Sequence, residues 1–342
     1  MSAQLGVSFV VPVHNGARWL GAALTAIRAQ ADGRPFEIWV VDDDSTDGSA
    51  QLAAGFEGVT VIPGEGRGAA AAINAGIRHA RHPVICQVDQ DVVLHPGWMS
   101  RLLGVLEADP TVGAVQGRYQ PTGAGSPWSR VMALDLDDRY HQIPGSSVDH
   151  TCTGNSAYRA QALRDVGLFD EAFGYAYDND LSYRLGAAGH GLRFCREATS
   201  THHWREGLGD YLRQQYGVGY GRLELVLKHR RRARGDQVSG PGMIIHAGVM
   251  FGAVCALPLG LIWLGPIGAL PSLCAVLGLG LERAWAGART WRRTGDRAAW
   301  LFPLAHLLRD LAWAGAIGVW AAHRIGRSPH QPSASMNRMA AK

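Results

Sequence analysis

Asp89-Gln90-Asp91 sets two carboxylates one residue apart, three positions after the apolar run Val84-Ile85-Cys86. A short apolar run of this kind predicts a buried parallel strand ending at Asp89, with Asp91 just past its carboxyl edge. Ligands of open α/β sheets bind at that edge. Two carboxylates on an irregular turn there can face one hard cation and leave its other positions to phosphate oxygens. Standing alone, an Asp-x-Asp is more commonly a solvated turn, so the rest of the chain must decide. Asp42 and Asp43 close a second apolar run, 36–41, where a carboxylate can accept from the N–H of a base or from a ribose hydroxyl. Asp47 and Ser45 in the same loop read as helix-capping residues. Asp178 and Asp180 open a further helix, where capping is the plainer explanation for the first of them. His202-His203 follows a short strand at 192–195 and offers candidate metal ligands.

The glycine loop Gly64-Glu65-Gly66-Arg67-Gly68-Ala69 admits close backbone approach and aims Arg67 at a phosphate. It also satisfies GxGxxA formally, so an NAD-dependent oxidoreductase competes. The motif follows the third strand rather than the first, which counts against that reading. The elements that must position these residues alternate strand and helix. Strands are expected at 7–13, 36–41, 59–62, 84–89 and 112–116, with helices after 16, at 69–80 and near 97–108. This order predicts a parallel sheet covered on both faces. Beyond residue 117 the alternation stops. A helix is expected at 127–142, with Asp135, Asp137 and Asp138 on a solvated face. The small polar stretch 151–159, which includes Gly154 and Asn155, suits a pocket floor.

The 342 residues allow one large domain or two ordinary ones. A net charge of +4, concentrated in the stretch 228–234, is too local for a nucleic-acid footprint. Five cysteines without CxxC spacing read as free thiols in a reducing compartment. Pro12 cuts short the first apolar run, which lacks a basic leader and so does not read as a signal peptide. Residues 243–281 contain no charged side chain apart from a protonatable His246. The stretch 243–263 is long enough to cross the ~30 Å hydrocarbon core, Gly265-Pro266 is a turn signal, and 267–281 returns. Arginines flank both ends of this hairpin, which puts both ends in the cytoplasm. A third apolar segment, 298–322, is interrupted by His306, Arg309 and Asp310; it either spans with these facing protein or lies in the interface. The domains expected are 1–238 as the catalytic domain, 239–325 as a membrane region, and 326–342 as a disordered basic tail. Removing everything after about Gly240 should leave a soluble protein that still binds its donor.

Taken in order, the motifs resemble the family 2 glycosyltransferases of GT-A fold. The matches are Val11-Pro12-Val13-His14-Asn15, Val40 to Asp47, Arg67-Gly68 with Asn74-Ala75-Gly76, Asp89-Gln90-Asp91, Thr153-Gly154-Asn155 and Asp178-Asn179-Asp180-Leu181. The resemblance implies an α/β domain, Rossmann-like, followed by transmembrane helices. It implies a nucleotide-sugar donor held by Pro12, His14, Asn15, Asp43, Arg67 and Asp89, and a divalent metal, Mn²⁺ or Mg²⁺, at Asp91 and Asp89 with His202 or His203. Gly154 and Asn155 would meet the acceptor. Transfer would invert the anomeric centre, with Asp178 or Asp180 as base, since Tyr177 stands where the family's Glu-Asp pair has its Glu. The processive Gln-x-x-Arg-Trp signature is not reproduced at Gln214-Gln215-Tyr216-Gly217, which implies a single transfer. The expected acceptor is a lipid-linked or other membrane-associated glycan of a cell-envelope polysaccharide, reached from the cytoplasmic side of the plasma membrane, with no nucleic acid involved. A non-catalytic, membrane-tethered nucleotide-binding protein is the alternative, and Tyr177 alone favours it.

Overall fold

The computed structural model describes residues 5–232, 235–238 and 240–325; Arg234 and the tail 326–342 lie outside the described residues. The chain begins β1 (Val7–Val13), α1 (Ala17–Arg28), β2 (Phe36–Asp42), α2 (Ser49–Ala54), β3 (Val59–Pro63) and α3 (Ala69–His79). It continues β4 (Val84–Val88), β5 (Val92–Leu94), α4 (Trp98–Ala108), β6 (Val112–Tyr119) and α5 (Pro127–His141). Next come β7 (Ser147–Val148), β8 (Asn155–Arg159), α6 (Ala160–Asp165), α7 (Tyr177–Ala187) and β9 (Gly191–His202). Four long helices follow: α8 (Leu208–Lys228), α9 (Pro241–Leu264), α10 (Leu270–Thr294) and α11 (Phe302–Ile325). These elements form two compact units, a sheet unit of residues 5–120 and 143–203 and a helical unit of 121–142 and 204–325.

In the sheet unit the strand order is β3-β2-β1-β4-β8-β6-β9-β5, with β7 beside β9. β3, β2, β1 and β4 are parallel, as the strand–helix alternation predicts. β1 and β4 are almost wholly buried runs, as strands covered on both faces must be. Beyond β4 the sheet is mixed: β8 runs antiparallel to both β4 and β6, so the fully parallel sheet is corrected. The reversal matters for position, because it brings the start of β8 to the end of β4. β9 is a twelve-residue strand that runs through His202, rather than a short strand that stops before it.

In the helical unit α9 ends at a 3-10 turn, Gly265–Ala269, and α10 returns along it. The Ser272 hydroxyl donates to the Ala253 carbonyl (2.9 Å), and Gly260 and Gly268 meet backbone to backbone, where a Cβ on either would collide with the other. Among the described residues, Pro241–Thr294 is the one helical run long and apolar enough to cross a membrane. Ile262, Trp263, Leu264, Leu277 and Leu281 are all more than 60% exposed, which is the opposite of a soluble core. In α11, His306, Arg309 and Asp310 are buried against protein.

The expectation of a solvated face for Asp135, Asp137 and Asp138 is overturned. Asp137 and Asp138 are buried. Arg293 donates to both (3.2 Å each), Arg289 and the Thr290 hydroxyl donate to Asp138 (3.0 and 3.1 Å), and His306 meets Asp135 at 2.9 Å. Val131, Met132 and Leu134 of α5 and Tyr211 of α8 pack with Ala286, Ala298, Ala299, Phe302 and Ala305. A cut at Gly240 would remove Arg289, Arg293 and His306, partners of the α5 aspartates, together with Ala286, Ala298, Ala299, Phe302 and Ala305 of this cluster.

Candidate active site

Strand register builds the site. Val13 pairs with Asp42, and the Asp43 N–H donates to the Val13 carbonyl (2.7 Å), so the loops after β1 and β2 lie side by side. Pro12 sits within β1 opposite Val41. The His14 ring bonds the Asp43 carbonyl at 2.7 Å, and Gln90 clamps the His14 backbone, accepting its N–H (2.9 Å) and donating to its carbonyl (3.1 Å). The middle residue of Asp89-Gln90-Asp91 therefore ties the acidic turn to the loop after β1. Asn15 accepts from the Thr46 N–H (2.8 Å), and its own N–H goes to the Ser45 hydroxyl (3.0 Å). Ser45 thus ties loops instead of capping a helix, while Asp47 accepts from the N–H groups of Ala17 and Ser49 at two helix starts.

Asp43 is buried, and its Oδ2 accepts from the Gly68 N–H (2.8 Å). Gly68 reaches this position at φ +92°, in the region glycine favours. The Asp43 Oδ1 is buried without a hydrogen-bond partner, an acceptor left for a group the chain does not supply. Arg67 is half exposed and meets Glu65 and Glu171, at 2.6 and 2.7 Å. Glu171 also accepts from the buried Asn74 amide (2.8 Å), so the glycine loop is braced by residues far along the chain.

Val88 pairs with Asn155, and so Gly154 falls beside Asp89. The Asp89 N–H donates to the Gly154 carbonyl (3.3 Å), and a Cβ at Gly154 would lie 2.3 Å from the Asp89 carboxylate. Asn155 is fully buried, and its amide oxygen accepts from the Trp98 indole (2.5 Å); its side chain supports the floor and does not line it. Val92 pairs with His202, which brings the His202 Nε2 to 3.6 Å from the Asp91 carboxylate. The neighbouring His203 turns away: its ring stacks on Trp19 (3.9 Å, 10° between planes), and its N–H donates to the Asp91 carbonyl (2.9 Å).

Asp178 lies in the first turn of α7, entered through Ala176 at φ +65°, a strained conformation for alanine. Its carboxylate is partly exposed and stands 3.5 Å from the His150 ring. Asp180 is fully buried and held by Arg184 at 2.7 Å. Desolvation pushes the Asp89 carboxyl up to about 7, with the nearby charges of Asp91 and then Asp178 adding to the effect and a Gln87 hydrogen bond opposing it. Burial, then Asp89 and Asp178, raises the Tyr177 hydroxyl as well. Asp89, Asp91, Asp178 and Tyr177 therefore share one electrostatic neighbourhood. Among the described residues no Lys or Arg forms an ion pair with any of the three carboxylates.

Two donor sets could hold a cation. One is Asp91 with His202, beside Asp89, an oxygen and imidazole set that suits Mn²⁺ or Mg²⁺ sharing phosphate oxygens. The other is His150, Cys152 and Asp178, with ligand atoms within 4.8 Å of one another. Neither His150 nor Cys152 is signalled by a motif; the only trace is their position just before Thr153-Gly154-Asn155. Gln87, Gln90 and Glu171 likewise become visible only once the strands are paired.

Comparison with known proteins bears on the whole arrangement. The family described as Glycosyl transferase family 2 matches residues 8–167. The pre-mycofactocin glycosyltransferase of Mycobacterium tuberculosis is 30% identical over 247 residues, which is 70% of this chain and 51% of that relative; the chain spans about half the relative's length. An uncharacterized glycosyltransferase of the same organism is 32% identical over 189 residues, 54% of this chain and 80% of that protein. Among solved structures, a mannosyltransferase of Pyrobaculum calidifontis in complex with GDP-Man and Mn²⁺ has a TM-score of 0.56 at 18% identity, over 92% of this chain and 87% of that one, a likeness of fold.

Proposed function

The chain belongs to glycosyl transferase family 2, and we propose that it moves one sugar from a nucleotide-diphospho-sugar to a hydroxyl of a lipid-linked or membrane-associated acceptor, with inversion. The observation that carries this reading is the gathering of Asp89, Asp91 and Asp178 at one sheet edge without a basic side chain in an ion pair with them. Three carboxylates left so need a cation or a proton, and a diphosphate donor arriving with a divalent metal supplies the first. Asp91 and His202 would hold Mn²⁺ or Mg²⁺, with Asp89 next to it; the metal, when bound, neutralises charge on the departing diphosphate.

The chain's own residues do the rest. The unpartnered Asp43 Oδ1 accepts an N–H from the donor's base. Arg67, on its glycine loop, exchanges a carboxylate partner for a phosphate. Asp178 takes the proton of the attacking hydroxyl, because it is partly open and free of guanidinium, whereas Asp180 is buried under Arg184. A base across the cleft from the leaving group favours a single in-line displacement, and that inverts the anomeric carbon. Gly154, rather than the Asn155 side chain, borders the acceptor. The apolar run Pro241–Thr294 suits an enzyme that works on membrane-bound acceptors from the cytoplasmic face of the plasma membrane. Full-length protein recovered without detergent in the soluble fraction would remove that part of the reading.

Asp178→Asn tests the mechanism. Donor affinity by isothermal titration should be kept while turnover falls by roughly 10²–10⁴, the worth of a general base. Undiminished turnover would overturn the role of Asp178. A thermal-shift screen of UDP-, GDP- and dTDP-sugars with Mn²⁺ names the donor, because a ligand stabilises in proportion to its affinity and concentration.

A further inference from the structure

We propose that His150, Cys152 and Asp178 form a second metal site, selective for Zn²⁺, whose occupation withdraws Asp178 from catalysis; the inhibitory half of this rests on Asp178 being the base. The three side chains come from two places, a loop and a helix start, whose backbone is anchored. His150 and Cys152 flank Thr151, whose N–H is anchored on the buried Ser182 hydroxyl (3.0 Å). The Cys152 N–H donates to the Gln116 amide oxygen (2.8 Å), and its carbonyl accepts from the Ser156 hydroxyl (2.6 Å). Asp178 is fixed by the first turn of α7. The His150 Nε2 and the Asp178 carboxylate already stand 3.5 Å apart, and all three ligand atoms lie within 4.8 Å of one another. Ligands about 2.0–2.3 Å from a tetrahedral Zn²⁺ are separated from one another by roughly 3.3–3.8 Å. The trio therefore needs about an ångström of side-chain movement to close on the ion.

Ligand chemistry separates this site from the one at Asp91. Thiolate and imidazole select Zn²⁺, whereas Mn²⁺ and Mg²⁺ favour carboxylate and phosphate oxygens. Local charge favours a cation at both, since no Lys or Arg among the described residues pairs with Asp178, Asp89 or Asp91. Binding displaces the thiol proton to solvent and leaves a fourth position for water. A carboxylate bound to Zn²⁺ no longer accepts a proton from an acceptor hydroxyl.

Co²⁺ is the probe, because a cobalt–thiolate bond absorbs in the near ultraviolet and the readout does not require activity. Full-length protein in detergent, titrated with Co²⁺, should show that band; Cys152→Ser and, separately, His150→Asn should each lose it or weaken it at least tenfold in affinity. Both variants are checked for a native melting transition, and the second is there in case the first fails to fold. Micromolar Zn²⁺ added to Mn²⁺-supported turnover should inhibit the native enzyme, and the ratio of rates with and without Zn²⁺ should return toward one in Cys152→Ser. No thiolate band in the native protein, or a band kept by both variants, overturns the site. A band lost in the variants without Zn²⁺ inhibition keeps the site and overturns Asp178 as the base.

Discussion

Asp89, Asp91 and Asp178 in the sheet unit and Asp135, Asp137 and Asp138 in the helical unit are the same functional group, and in the sequence both sets look like acidic motifs. Their surroundings are opposite. Among the described residues the first set forms no ion pair with Lys or Arg; Asp91 faces the imidazole of His202 and Asp178 that of His150. The second is held by Arg139, Arg289, Arg293 and His306. Charge withdrawn from water must be compensated: the helical unit does so with its own side chains, whereas the proposed function has the sheet unit do so with what it binds. Density of carboxylates alone thus does not separate the two sets; their counter-ions do.

Removing the ligand-facing acids should cost activity, and removing the paired ones should cost the fold. The largest effect is expected for Asp91→Ala, which should lose Mn²⁺- or Mg²⁺-dependent donor binding and with it nearly all turnover. Donor titration with and without EDTA checks this, and full activity in EDTA would remove the metal's role. Asp138→Ala should next cost about 1–3 kcal/mol, the penalty of leaving the buried Thr290 hydroxyl without its acceptor while the partly exposed Arg289 and Arg293 turn to solvent, read as a lowered melting temperature in detergent. The surviving folded fraction should turn over normally. A smaller effect belongs to pH. Desolvation, with Asp91 nearby, pushes the folded Asp89 carboxyl up to about 7 from an ordinary value of 3.8. Between those values the folded chain holds a proton that the unfolded chain has released, so metal-free stability should fall as pH rises from about 4 to 7. Thermal melts at pH 5 and pH 8 should differ in that sense, and Asp89→Asn should flatten the difference; added Mn²⁺, which needs the ionised carboxylate, should stabilise more at pH 8. The smallest effect is expected for Glu57→Gln, which breaks an ion pair to Arg28 with side chains 92% and 44% exposed. It should stay within about 0.5 kcal/mol.

Much of the sheet unit was legible because its signals are local. Val7–Val13 and the helix of Leu20, Leu24 and Ile27 follow from apolar spacing alone, and Leu181 and Leu185 are buried as their periodicity requires. What was not legible depends on partners far along the chain. No local pattern reveals that β8 returns antiparallel, or that Gln90 would clamp His14 from 76 residues away. The same holds for Asp138, whose run reads as solvated until Arg289 and Arg293 are seen beside it. His150 and Cys152 escaped for a related reason: ligands supplied from a loop and a helix start have no fixed spacing.

The pairing of α5 with α10 also sets a clock. Asp138 and Arg289 are 151 residues apart, and Asp137 and Arg293 are 156. A ribosome adding about 5–20 residues per second would take roughly 8–30 s to make the second partner after the first. Through that interval Val131, Met132 and Leu134 have no cover from α10, and the two aspartates have no counter-ion from it. The nascent chain therefore carries a sticky, charged segment for many seconds before its mate exists, so translation speed and chaperone supply, more than the final stability, should govern how much of this enzyme a cell can make.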